Sequence, residues 1–304
     1  MFGHPDMSSI APATAEEREK LEQFFTDRMG YGLVRGRVRG HYYQLTADSI
    51  MLEHRPDYAK VFYDGIPSFH NRLRETGTEK SRGIELTVTS LGHLPMYILY
   101  GWETGIYNEF RHLRFRGLSK AQLMELVMFA QIQAGIRGLQ HTYNAVSKFL
   151  VDLPDAPGPA ELPASWAPDP DAFKSGIDLS TRDLSAEDAK KIIDWYESTI
   201  GYVPNSVDFA MKYHPEFYKW HRARWEVIFQ TLPKQVAPYV MIRQQMLAGN
   251  ADALREAVLL GKAWGIAKEW IVQDFAVTAW YCGFERLSWA HEAADDILES
   301  WGDD

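Results

Sequence analysis

A chain of 304 residues, 46% of them hydrophobic, is long enough for two domains or one large one and can fill a core, which excludes general disorder. A net charge of −9 and 13% aromatic content argue against nucleic-acid binding, which needs a basic face to displace counterions, and favour a pocket for a small-molecule substrate. The single cysteine, Cys282, excludes an intramolecular disulfide and a CxxC pair, no apolar run approaches the ~18 residues of a membrane span, and the N-terminus lacks signal-peptide order, so the cytoplasm is the expected compartment.

In chain order, TAEEREKLEQFFTDRMGY from Thr14 to Tyr31 reads as a helix, with Thr14 as N-cap, Glu17 at the capping-box position and Phe24/Phe25 on its apolar face. An arginine-rich segment follows, containing RGRVRGHYY. From Gly83 to Gly135 the pattern predicts three consecutive helices, including LTVTS at Leu86 to Ser90. Gly117 is suited to end the middle helix in a left-handed cap, and Ser119 with Gln122 forms a capping box for the next. Asp152 to Asp183 holds Pro154, Pro157, Pro159, Pro163, Pro168 and Pro170, which predicts an extended strap that packs through Leu162 and Trp166. SAEDAKKIIDWYESTIGY then runs from Ser185 to Tyr202, and apolar residues recur at helical spacing after Leu232-Pro233 and after Gly265.

One unit is written twice. Thr14–Tyr31 aligns without gaps on Ser185–Tyr202, Pro56-Asp57-Tyr58 on Pro215-Glu216-Phe217, and the segment from Gly117 on that from Gly265, pairing Gly135 with Gly283. The first copy is the longer one, its extra residues falling between Tyr31 and Pro56 and between Tyr58 and Gly117. The expected division is a first unit over 1–151, a linker over 152–183 and a second unit over 184–304.

IGYVPNSVDFAMKYHPEFYKWHRARWEVIFQTLPKQ, from Ile200 to Gln235, resembles the start of the AhpD-like/carboxymuconolactone decarboxylase superfamily, and Glu85–Ser90, Trp102–Arg116, Gly117-Leu118-Ser119 and Lys120–Gln133 resemble its core. The resemblance implies an all-α protein of two fused AhpD-like helical units forming an internal pseudo-dimer, and further assembly into a homo-oligomer. The family's histidine position falls on Glu109 in the first copy and Ala257 in the second. Its cysteine positions fall on Trp102 and Gly105, and on Asn250 and Ala253. With no thiolate, a thiol peroxidase is excluded.

Glu109 therefore stands where the resemblance implies an acid/base; the alternative is an exposed glutamate among Arg111 and Arg114. His112, three residues on, shares its face and is either a proton shuttle or a surface histidine in a basic run. Glu103 and Tyr107, four apart, form a second set, since Tyr107 lies nearly opposite Glu109 on the helix; only one set lines the pocket. His93 on the preceding helix and Trp102 are candidates for contacting substrate. In the insertion, Arg35, Arg37 and Arg39 alternate to one side with His41 and Tyr42 beside them, and serve either to hold a substrate anion or as a basic surface loop. His54, His70, His93, His112 and His141 show no HExxH spacing, so no metal ligand set is expected, and no cofactor.

These readings lead to a cofactor-independent lyase, decarboxylase-like, acting on a small aromatic-derived or lactone carboxylate. The alternatives are a non-catalytic binding or scaffold protein, or a hydrolase or isomerase on the same pocket. No nucleic-acid or membrane partner is expected.

Overall fold

A computed structural model describes residues 14–16, 19, 54–55, 58, 79–150 and 159–302. The chain divides into two compact units, Met1–Ser81 and Arg82–Asp304. The helices below belong to the second unit, apart from the first residues of α1. All regular structure among the described residues is helical, joined by one isolated bridge between Pro168 and Pro233. No helix of the described residues is long and apolar enough to cross a membrane.

The three helices expected between Gly83 and Gly135 are present with shifted ends. They are α1 (Glu79–Tyr100), α2 (Glu103–Phe115) and α3 (Lys120–Leu150), the last interrupted at Gly135. LTVTS lies inside α1. Between α2 and α3 the chain turns at Gly117, whose φ of 97° suits glycine, and a side chain there would strike the Pro159 backbone. The capping box closes in both directions: Gln122 N donates to Ser119 Oγ (3.1 Å) and Ser119 N to Gln122 Oε1 (2.9 Å).

After the strap come α4 (Ala186–Ile200), α5 (Asn205–Tyr213), α6 (Pro215–Ile228), α7 (Val236–Ala248), α8 (Ala251–Ala263), α9 (Lys268–Cys282), a 3-10 turn at Phe284–Arg286, and α10 (Leu287–Glu299). Ser185 caps α4 by accepting from Asp188 N (3.0 Å). Asp188 does not complete a box, because its carboxylate instead takes Lys219 Nζ (2.8 Å) and Asp178 N (2.9 Å). Thr14 precedes helical residues at Ala15 and Glu16.

Helix α7 is the centre of the unit, buried from Val236 to Met246. It packs on α8, α9, α10 and α3. Two of its buried polar side chains reach α1: Arg243 donates to Thr89 O (3.0 Å) and Gln244 to Pro95 O (3.0 Å). Gly92 leaves the room that the Arg243 guanidinium occupies. Arg243 Nε pairs with Asp274 Oδ1 (2.7 Å), so the central charge is matched and fully enclosed.

From Pro159 on, the strap forms no helix, as its prolines require; it turns at residues 164–165 and 170–173 and lies on the core through Leu162 and Trp166. Phe173 goes further: it is 1% exposed, among Trp225, Phe229 and Trp264.

Candidate functional site

Helix α2 buries one stripe, Gly105, Ile106, Asn108, Glu109, Phe110, Leu113 and Arg114, and this places the Glu109 carboxylate inside the protein. Two imidazoles approach it. His93 Nδ1 of α1 lies 3.8 Å from Glu109 Oε1, and His112 Nδ1, one turn along α2, lies 3.7 Å from Oε2. Both distances are ion-pair contacts slightly longer than hydrogen bonds, and Oε2 has no partner at hydrogen-bond distance.

The three side chains differ in access. Those of His93 and Glu109 are 5% and 11% exposed, whereas that of His112 is 39% exposed and forms the open end of the group. Burial alone would lower the His112 imidazole's pKa, but the adjacent Glu109 carboxylate outweighs it and holds it above the usual histidine value, against Arg116 and Arg111.

Aromatic rings wall the inner end. His93 stacks with Tyr97 (centroids 5.8 Å apart, planes at 15°) and meets Tyr281 of α9 edge-on (4.3 Å, 64°). Burial first, then Tyr281 and the Glu109 charge, push the Tyr97 phenol well above its ordinary value, so it stays neutral. Trp102 packs edge-on against Tyr97 at 4.6 Å. A Cβ on Gly105 would stand 2.6 Å from Trp102 Cε3 and 2.7 Å from Tyr97 Cδ2. The position where the resemblance implied a cysteine thus has no room for one beside those rings.

Glu109, His112 and His93 come together, and Trp102 joins them through Tyr97. Glu103 does not. It accepts from His141 Nδ1 (3.0 Å) and Asn144 Nδ2 (2.9 Å) on α3, and the hydrogen bonds of Asn144 and then His141 hold its pKa below the usual carboxylate range. It ties α2 to α3 at the surface. Tyr107 lies under the Arg111 guanidinium, 5.6 Å from the ring centroid. Arg35, Arg37, Arg39, His41 and Tyr42 lie outside the described residues. Tyr97 and Tyr281 were not among the sequence candidates. The spacing of His93 and Tyr97, four apart on one helix, pointed to the first; nothing local pointed to the second.

Other buried ionisable groups serve packing. Arg222 lies over Trp195 (4.1 Å), donates to Phe173 O (2.6 Å) and contacts Glu226 Oε1 (3.3 Å), which also accepts from Ser175 N (2.9 Å). Lys219, enclosed with Asp188, also reaches Thr181 Oγ1 and Asp183 O, each at 2.7 Å. Glu256 of α8 is buried beside Tyr196, and burial raises its pKa to about 7 against the Tyr196 hydrogen bond and Arg222. Beside Asp274 and Arg243 is a shallow recess, partly open to solvent, with Tyr239, Trp270 and Gln273 in its wall. Cys282 is half-buried, its Sγ 3.3 Å from Met96 Sδ, and burial raises the thiol's pKa, which fits a structural role. Among the described residues, no group of three or more His, Cys, Asp or Glu side chains is arranged to hold a metal ion.

A carboxylate between two imidazoles, one enclosed and one reachable, can store a proton and pass it outward. No family model, curated protein or solved structure matches the chain.

Proposed function

We propose that the chain is a cofactor-independent lyase of the decarboxylase type, acting on a small aromatic-derived or lactone carboxylate. The observation that carries this reading is the buried Glu109 carboxylate with an imidazole at each oxygen, His112 being the one a substrate can reach. In the reaction the substrate carboxylate leaves as carbon dioxide and its bonding pair passes into a conjugated carbonyl. His112, kept protonated by Glu109, then delivers a proton to the carbon left behind. Glu109 balances the imidazolium charge, and Arg111 and Arg116, whose fields reach His112, attract the anionic substrate.

The reading extends to architecture: two AhpD-like copies, over 1–151 and 184–304, joined by the strap and packed as an internal pseudo-dimer, with the boundary at Ser81 falling inside the first. Three pairs of positive-φ glycines support it, each 148 residues apart: Gly101 with Gly249, Gly117 with Gly265, and Gly135 with Gly283. Helices α2 and α8 share that offset at both ends. Assembly into a homo-oligomer and a cytoplasmic setting complete the proposal.

The test is carbon dioxide release by the full chain from a panel of carboxylated lactones and aromatic-derived keto acids. Glu109→Gln is expected to lower the rate by about 10²-fold or more. A wild-type chain that releases none across the panel, or a Gln variant that matches it, overturns the reading.

A further inference from the structure

His93, Tyr97, Glu109 and His112 all stand on α1 and α2, but the ring packed edge-on against His93 comes from the end of α9. The 148-residue offset gives each of these residues a counterpart. Met241 stands for His93, Gln245 for Tyr97, Ala257 for Glu109 and Leu260 for His112, while Gln133 of α3 stands for Tyr281. Met241, Ala257 and Leu260 are buried apolar side chains, and Gln245 donates to Gln133 Oε1 at 2.7 Å. The same junction, the last turn of the long helix against the helix of the other copy, therefore occurs twice. Once it joins glutamines beside apolar packing; once it joins tyrosines beside the histidine–carboxylate group. Such reciprocity is what a two-fold relation between copies requires.

We propose that the acid–base site is composite, with Tyr281 as a positioning residue that holds the His93 imidazole with Nδ1 toward Glu109, and that each chain carries one such site. This rests on the reading of Glu109, His93 and His112 as an acid–base group. The physical need is specific. The ring torsion of a histidine is soft and roughly two-fold, so an imidazole flanked only by its own helix can turn its Nδ1 away. A half-turn about that torsion returns the imidazole to the same plane with Nδ1 and Cδ2 exchanged, so the Tyr97 stack accommodates both end states, whereas the Tyr281 ring, crossing that plane at 4.3 Å, meets a different edge in each. The counterpart place needs no such ring, because Met241 has no nitrogen to aim. Of the titratable groups, Glu109 of α2, Tyr281 of α9 and Tyr97 of α1 itself act at His93, and Arg243 of α7 acts on Tyr97.

The experiment follows the imidazole nitrogens of the ¹⁵N-histidine-labelled full chain by NMR across pH, assigned with His93→Asn and His112→Asn. Tyr281→Phe keeps the ring and is expected to reproduce the wild-type His93 tautomer and titration. Tyr281→Leu and Tyr281→Met are expected to mix the two tautomers and to move the His93 midpoint by about half a pH unit or more, with a smaller change at His112. Gln133→Leu, at the related junction, leaves His93 unchanged. The methionine variant fills the volume without a ring and carries the test if the leucine variant does not fold. An unchanged His93 in the leucine and methionine variants, or an equal change in Gln133→Leu, overturns the proposal. The readout needs no substrate, so a failed carbon dioxide assay and a failed positioning role are told apart.

Discussion

Replacing Glu256 by glutamine removes a titration that the fold displaces strongly. The carboxyl is enclosed beneath α4 and α6, and its pKa rises from an ordinary 4.5 to about 7. Folding therefore favours the protonated form: the stabilisation is complete below pH 4.5 and is lost as pH rises through 7. At 1.36 kcal/mol per unit, the difference is about 3 kcal/mol. A second, partly buried group offsets this in the wild type. Burial, with the charges of Arg224 and Arg222, lowers His221 to about 4, so its contribution grows as pH rises from 4 to 6.5, opposite in sign to that of Glu256. The quantity to measure is the difference in urea unfolding free energy between wild type and Glu256→Gln, by tryptophan fluorescence and far-UV circular dichroism, from pH 4.5 to 7.5. It is expected to shift by about 3 kcal/mol in favour of the variant as pH rises. A difference that stays constant with pH refutes the argument, because it means that the carboxyl titrates alike in folded and unfolded chains.

His221→Gln is expected to give the mirror result in the same urea series, losing its deficit relative to wild type as pH falls from 6.5 to 4.5. Gly105→Ala drives a methyl into Trp102 and Tyr97 and is expected to cost about 1–3 kcal/mol, read by thermal or urea unfolding. Asp274→Asn leaves Arg243 as an uncompensated buried charge, with an expected loss of about 3–5 kcal/mol in urea. Glu109→Gln removes the group that raises His112 against its burial, so the His112 midpoint followed by NMR falls below the ordinary histidine value.

What the sequence made legible was local. The Ser119–Gln122 box, the turn at Gly117 and the cap at Ser185 follow from residues within three or four positions of one another, and so does the His112–Glu109 pairing on one face of α2. The absence of helix in the described part of the strap followed from its prolines. Contacts between elements were out of reach. His93 meets Glu109 only because α1 and α2 fold back at Gly101, and Tyr281 reaches His93 from a helix far along the chain. Asp188 looked like the partner of its own cap until Lys219 of α6 claimed its carboxylate. Glu103 resembled Glu109 in type and helix, but its position turns it to α3, where His141 and Asn144 bind it.

By composition the strap is a place to cut the chain, and Asp178, Leu179 and Ser180, just past its anchored residues, are exposed. Its anchoring changes what a cut would do. Phe173 is gripped by three aromatic side chains, its carbonyl by Arg222, and the following Ser175 by Glu226. The strap is in effect a peptide ligand that the protein carries on its own backbone, docked in the receptor formed by α6 and the end of α8. A nick at Asp178 to Ser180 leaves Phe173 and Ser175 on one piece and their partners on the other, so that grip spans the break.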